Sequence, residues 1–172
     1  MIRLILAAMW LVFFFITGIP LILVELLLGK INKKARDYSS LRIVQFILKG
    51  VLFIAGTKTT IIGIENIPKD EAVLFVGNHR SLFDVVIAYT LMPGLTGFIG
   101  KKELSKVPFL NIWMKFVNCL FLDRNNIREG MKTIVKGIEY INNGVSIAIF
   151  PEGTTSKDGT LLPFHDGSLK FA

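Results

Sequence analysis

Ala72-Val73-Leu74-Phe75-Val76-Gly77-Asn78-His79-Arg80-Ser81-Leu82-Phe83-Asp84 is the stretch whose reading decides the fold. Residues 72–77 form a continuous apolar run, as expected for a strand buried on both faces. The run ends abruptly in Asn78-His79, and Ser81 can cap a helix reaching about Met92, where Pro93-Gly94 stops it. Strand, polar loop and helix therefore follow one another within about twenty residues.

Downstream the same texture recurs. Residues 96–99 read as a brief strand, Pro108 suits the first turn of a short helix to Phe116, and residues 117–122 read as the next strand, ending in Asp123-Arg124. The clearest helix covers residues 127–141. Ile127, Met131, Ile134, Val135, Ile138 and Ile141 fall at helical spacing on one face, with Asn125 or Asn126 as cap and Gly144 past the end. Residues 145–150 form another buried strand, which runs out into Pro151-Glu152-Gly153-Thr154. Upstream, residues 59–64 are expected as a short strand with Glu65-Asn66-Ile67-Pro68 as its turn. The alternation predicts an α/β fold with a largely parallel central sheet flanked by helices. In such sheets function gathers in loops past the carboxyl ends of the strands. If the strands are parallel neighbours, His79, Asp123-Arg124 and Pro151-Glu152-Gly153 share one rim.

At 172 residues the chain is one domain with an appendage, and 52% hydrophobic content with a mean hydropathy of +0.56 is high for a purely soluble domain. The net charge of +7 suits anionic lipid or a phosphorylated substrate. Nucleic acid is not an expected partner, since zinc spacing, aromatic–basic sheet motifs and a basic recognition helix are all missing from the sequence. The single cysteine, Cys119, rules out an internal disulfide and lies in an apolar run that reads as core.

The N-terminus accounts for the apolar excess. Residues 4–24 carry no charge, about the length a helix needs to cross hydrocarbon, and Gly18 and Pro20 within it are tolerated in membrane segments. A cleavable signal peptide is the competing reading, but the run is long and no Ala-x-Ala site follows. Lys30, Lys33, Lys34, Arg36 and Arg42 come next, against Asp37 alone, so the positive-inside rule places this side at the cytoplasm and near anionic headgroups. A second apolar stretch, residues 43–55, is shorter and contains Gln45 and Lys49. Two arrangements remain open: a spanning helix followed by a surface helix, or a helical pair dipping into one leaflet. The expected organisation is an anchor of hydrophobic helices over residues 1–56 and a domain over residues 57–172.

The chemistry lies at the strand ends. His79 and Asp84 are five residues apart across a loop entering a helix, so the carboxylate can orient the imidazole and leave its other nitrogen as a base. A thioester can be attacked directly by an acceptor hydroxyl deprotonated in place, with no enzyme nucleophile. Arg124 and Lys101 or Lys102 are candidate phosphate ligands, the arginine as a planar fork and the lysine as a point charge. Gly153 and Thr154 could offer a backbone N–H and a hydroxyl to an anion, and Glu152 could orient the arginine or a substrate hydroxyl. His165 has no metal-ligand spacing with His79. A serine-hydrolase reading fails for want of a Gly-x-Ser-x-Gly elbow.

These blocks resemble the 1-acylglycerol-3-phosphate (lysophosphatidic acid) acyltransferase family, within the glycerolipid acyltransferases. Asn78 to Asp84 is similar to its Asn-His-x-Ser-x-x-Asp block; Lys101-Lys102-Glu103-Leu104, Pro108 and Phe121-Leu122-Asp123-Arg124 are similar to its second. Phe150-Pro151-Glu152-Gly153-Thr154 is similar to its third, and Leu162-Pro163-Phe164 with Gly167 continues the pattern. The N-terminal helical pair resembles the anchor of some bacterial members.

The resemblance implies His79 as general base, Asp84 as its orienting partner, Arg124 as ligand of the acceptor phosphate, and Glu152 and Gly153 as shapers of the acceptor site. It implies acyl-CoA or acyl carrier protein as donor, lysophosphatidic acid as acceptor and phosphatidic acid as product, with no metal or prosthetic group. Thr155 stands where the family usually has an arginine, which opens the alternative of another lyso-lipid acceptor unless Lys157 or Lys101 compensates. His165-Asp166 replaces a usually basic pair, and the family's fourth block would fall beyond Ala172. A lipid-binding protein without turnover is the reading from a different class.

Overall fold

The computed structural model describes residues 2–156 and 160–164. Two long helices come first, α1 (Ile2–Ile31) and α2 (Lys33–Ala55), joined at Asn32, whose side chain accepts the Ala35 N–H and caps α2. The α/β part follows as β1 (Leu74–Val76), α3 (Leu82–Leu91), β2 (Thr96–Lys101), α4 (Leu110–Phe116), β3 (Leu120–Leu122), α5 (Ile127–Asn142) and β4 (Ser146–Ile149). Among the described residues four strands form one sheet in the order β1-β4-β2-β3, and every pairing is parallel. The predicted sheet is confirmed, and the carboxyl ends of all four strands lie along one rim.

Crossovers in such a sheet are right-handed. The β1–α3–β2 and β3–α5–β4 connections run in opposite directions across it, so their helices cover opposite faces. Leu41 of α2, Tyr89 of α3, Phe98, Cys119 and Ala148 pack together on one face; Ile134 of α5, Leu120, Ile147 and Ile149 form the core on the other. Burial pushes the Cys119 thiol up to about 11, which suits a core side chain and not a nucleophile.

Several boundaries differ from the sequence reading. No strand forms over residues 59–64; Ile62 is 91% exposed, and Ile64–Asn66 makes a 3₁₀ turn after Gly63 in the left-handed region at φ 79°. Gly63 turns the backbone out of the extended region before Ile64, and the segment joins no ladder of the sheet. β3 starts at Leu120 and not at Val117, because Val117 and Asn118 close α4 through bonds to Trp113 and Lys115 carbonyls, with Asn118 at φ 60°. β2 runs on to Lys101, and α4 begins two residues after Pro108.

The predicted face of α5 is wider than the sheet can cover. Ile134 is buried, but Ile127 is 85% and Val135 61% exposed.

α1 continues through Gly18 and Pro20 without a break, and α2 begins ten residues before the apolar stretch assigned to it, so that Lys33, Lys34, Arg36 and Arg42 are helical. By length and composition both helices are apolar enough to cross a membrane. They are fastened to each other by Glu25, buried, which accepts the Ser39 and Ser40 hydroxyls at 2.6 and 3.0 Å. They are fastened to the α/β part by Gln45, whose amide donates to the Tyr89 and Met92 carbonyls at 3.1 and 2.9 Å, and by Phe14, Phe15 and Gly18 packed on Phe109 and Trp113. The opposite side of α1 is an exposed apolar stripe that includes Ile5, Met9, Ile16, Leu23 and Leu27.

Candidate active site

The loop after β1 carries His79, and two neighbouring elements fix it. Glu152, after β4, accepts the His79 backbone N–H at 2.9 Å, and the His79 carbonyl accepts the Ser156 N–H at 3.0 Å. The imidazole stacks on Phe150 with ring centroids 4.5 Å apart and planes 24° apart. Phe150 follows β4 directly and Glu152 comes two residues later, so one segment positions both the backbone and the ring of the histidine.

Asp84 sits in the first turn of α3. Its Oδ2 accepts the Arg80 and Ser81 N–H groups at 2.6 and 2.7 Å, while Ser81 Oγ accepts the Phe83 N–H at 3.1 Å, a reciprocal capping box. The same Oδ2 lies 3.5 Å from His79 Nδ1, which is buried and makes no hydrogen bond among the described residues. The pair expected from sequence is therefore brought together. Its separation is longer than a hydrogen bond. The carboxylate is at once a helix cap and the acceptor facing the imidazole.

Arg124, just past β3, reaches across the rim and donates from Nη1 to the Gly153 carbonyl. Gly153 follows Glu152 directly, so His79 and Arg124 are tied to adjacent residues of one tight turn. In that turn Gly153 has φ 70°, and its N–H donates to the Phe150 carbonyl at 2.9 Å. The N–H considered as an anion donor is thus occupied, whereas Thr154 beside it is exposed.

Glu152 also differs from expectation. It is only 3% exposed and makes no ion pair with Arg124 among the described residues; its second oxygen accepts the Leu162 N–H at 2.9 Å. The Leu162 N–H first and the His79 N–H second hold its carboxyl below the usual glutamate range.

The two lysines after β2 separate in role. Lys102 pairs with Asp123 at 2.5 Å, which raises the ammonium pKa and lowers that of the carboxyl, chiefly through the bond itself. Lys101, in register with Leu122 at the end of β2, is exposed and makes no ion pair among the described residues. Lys157, His165, Asp166 and Gly167 lie outside the described residues.

Sequence reasoning missed Phe150 as the platform under the imidazole and Asp123 as the partner of Lys102. The first had no local signal. The second could have been read from a lysine and an aspartate at the ends of two strands predicted to be parallel.

Comparison with known proteins agrees with this geometry. A family model described as Acyltransferase matches residues 58–172. The chain is 36% identical over 126 residues to a 1-acyl-sn-glycerol-3-phosphate acyltransferase of Borreliella burgdorferi, covering 73% of this chain and 50% of that protein. It is 33% identical over 120 residues to the 1-acyl-sn-glycerol-3-phosphate acyltransferase of Saccharomyces cerevisiae, covering 68% of this chain and 39% of that one. The crystal structure of the 1-acyl-sn-glycerophosphate (LPA) acyltransferase PlsC from Thermotoga maritima superposes with a TM-score of 0.73 at 27% identity, over 98% of this chain and 70% of that one. The chain spans about half the length of the curated relatives it matches. With the histidine–aspartate pair at the rim of a parallel sheet, and a family model covering the whole α/β part, this chain belongs to the acyltransferase family.

Proposed function

We propose that the chain is the catalytic part of a 1-acyl-sn-glycerol-3-phosphate O-acyltransferase, moving an acyl group from acyl-CoA or acyl carrier protein to the sn-2 hydroxyl of lysophosphatidic acid. The observation that carries this reading is His79, its Nδ1 facing Asp84 at 3.5 Å and its backbone fixed by Glu152. Nδ1 holds the proton directed at Asp84, and Nε2 takes the proton of the acceptor hydroxyl as its oxygen attacks the thioester carbonyl. Collapse of the tetrahedral intermediate expels the thiolate, which recovers that proton from the imidazolium. Arg124, on the other side of the Glu152-Gly153 turn, is the phosphate ligand, with Lys101 as the second cation on the rim and Thr154 as a hydroxyl donor. Residues 1–56 act as the anchor and residues 57–172 as the acyltransferase domain.

Packing of Phe14, Phe15 and Gly18 on α4 supports a helical pair embedded in one leaflet, since it holds the middle of α1 against the α/β part. The basic residues at the α1–α2 turn favour the cytoplasmic face. Thr155, exposed on the same rim, favours as second reading a lyso-lipid acceptor whose headgroup needs one cation fewer.

The test is transfer of labelled acyl groups from acyl-CoA and from acyl carrier protein to lysophosphatidic acid, with His79→Ala as control and glycerol 3-phosphate as competitor. Product that disappears in the control and falls with the competitor supports the first reading. Product insensitive to the competitor supports the second, and equal product in the His79→Ala protein removes the assigned base.

A further inference from the structure

Three strand positions from His79, at the opposite edge of the sheet, a groove of about 450 Å³ runs along β3. Lys115 of α4 forms one wall, and Glu129, Lys132, Thr133, Lys136 and Tyr140 of α5 form the other. Three ammonium groups face one carboxylate, and Glu129 is already matched by Lys132 at 2.7 Å. Lys115 and Lys136 make no ion pair among the described residues, the latter lying 5.8 Å over the Tyr140 ring. On the floor the Thr133 hydroxyl donates to the Phe121 carbonyl at 3.1 Å, covering a backbone acceptor that would otherwise turn negative potential into the groove. The result is a cleft of small-molecule size with a surplus of positive charge.

Its distance from the reacting centre selects the ligand. Strands lie about 4.8 Å apart, so three spacings alone set the β3 edge roughly 14 Å to the side of β1, and Lys115 and Lys136, toward the amino end of β3, stand farther still from His79. The phosphate of a lysophosphatidic acid is joined to its reacting hydroxyl through a glycerol and cannot reach that far. A CoA thioester carries its charged nucleotide on a pantetheine arm, away from the reacting carbonyl. We infer that the β3–α5 groove binds the phosphates of the donor's nucleotide, with Lys115, Lys132 and Lys136 as ligands. This rests on the acyltransferase reading, and it specifies a CoA donor over an acyl carrier protein.

Equilibrium binding of adenosine 3′,5′-bisphosphate to the full chain in detergent micelles tests it without turnover. The probe is expected to bind the wild-type chain and to bind Lys132→Glu/Lys136→Glu at least about tenfold more weakly, as follows from reversing two of three ligand charges. Lys58→Glu/Lys69→Glu changes net charge equally in the segment leading into β1, and its affinity should stay within about twofold of wild type. No binding by the wild-type chain, or equal loss in both doubles, overturns the inference. If acyl carrier protein supports transfer while bisphosphate fails to bind, the groove assignment falls and the acyltransferase reading stands. Groove-dependent binding without transfer from any donor overturns the functional reading instead.

Discussion

The carboxylate of Glu152 holds the backbone N–H of His79 at 2.9 Å, joining the loop after β4 to the loop after β1, and its other oxygen holds the N–H of Leu162. Because β1 and β4 are hydrogen-bonded neighbours, this bond continues the order of the sheet into the loops past it. The imidazole is placed by that continuation as much as by Asp84.

Glu152→Gln should therefore act through position. A glutamine presents an NH₂ to one of the two N–H donors, so one of them loses its acceptor. With His79 displaced by a fraction of an ångström, kcat is expected to fall about 10- to 100-fold while KM for the donor changes little. Steady-state kinetics decides this: a large donor KM effect with kcat intact would sink the positioning role.

The same bond sets an acid limit. Leu162 and His79 N–H groups depress the Glu152 carboxyl, so the carboxylate's stabilising contribution is complete above the ordinary glutamate value of about 4.3 and is lost as pH falls through the lower folded value. The difference in melting temperature between wild type and Glu152→Gln should hold constant from neutral pH to about pH 5, then shrink in stronger acid. A difference that vanishes near pH 6 contradicts the assignment.

Asp84→Asn separates capping from catalysis. The asparagine carbonyl oxygen can still accept the Arg80 and Ser81 N–H groups, so the start of α3 persists and stability should change by no more than about 0.5 kcal/mol. That same oxygen position faces His79 Nδ1, so the asparagine keeps the geometry but loses the charge that stabilises the imidazolium. Transfer should drop by about 10²-fold or more, yet less than in His79→Ala. Activity near wild type with an unchanged melt would show that Asp84 is a cap alone.

How far the sequence reading reached follows from the range of each interaction. The histidine–aspartate pair was legible because its members share one loop and one helix turn. The three rim loops were legible because buried parallel strands have an unmistakable apolar texture. The strand expected over residues 59–64 failed because Gly63 leaves the extended region at φ 79°, a turn that the β-branched texture around it hides. The hydrogen bonds of Glu152 were not legible because its two donors, His79 and Leu162, lie 73 and 10 residues away in sequence. The α5 stripe shows the reverse limit, since periodicity gives the width of an apolar face but not how much of it a four-stranded sheet covers.

Gly18→Ala sets two effects against each other. Alanine is favoured over glycine inside a helix by about 1 kcal/mol. At Gly18, however, a Cβ would stand 2.5 Å from Phe109 Cζ and 2.7 Å from Cε2. The Phe109 ring has little room to retreat: it stacks on Phe15 at 4.4 Å, meets Phe14 edge-on at 5.3 Å, and hangs from a backbone at φ 64°. Overpacking of this kind costs about 1–3 kcal/mol, so the clash should win and α1 should part from α4. The exposed apolar side of α1 is untouched, and partitioning into vesicles should be retained. Thermal melting in micelles together with vesicle flotation tests both halves. A higher melting temperature would mean that helix propensity outweighs the contact and that α1 does not dock on α4 as described.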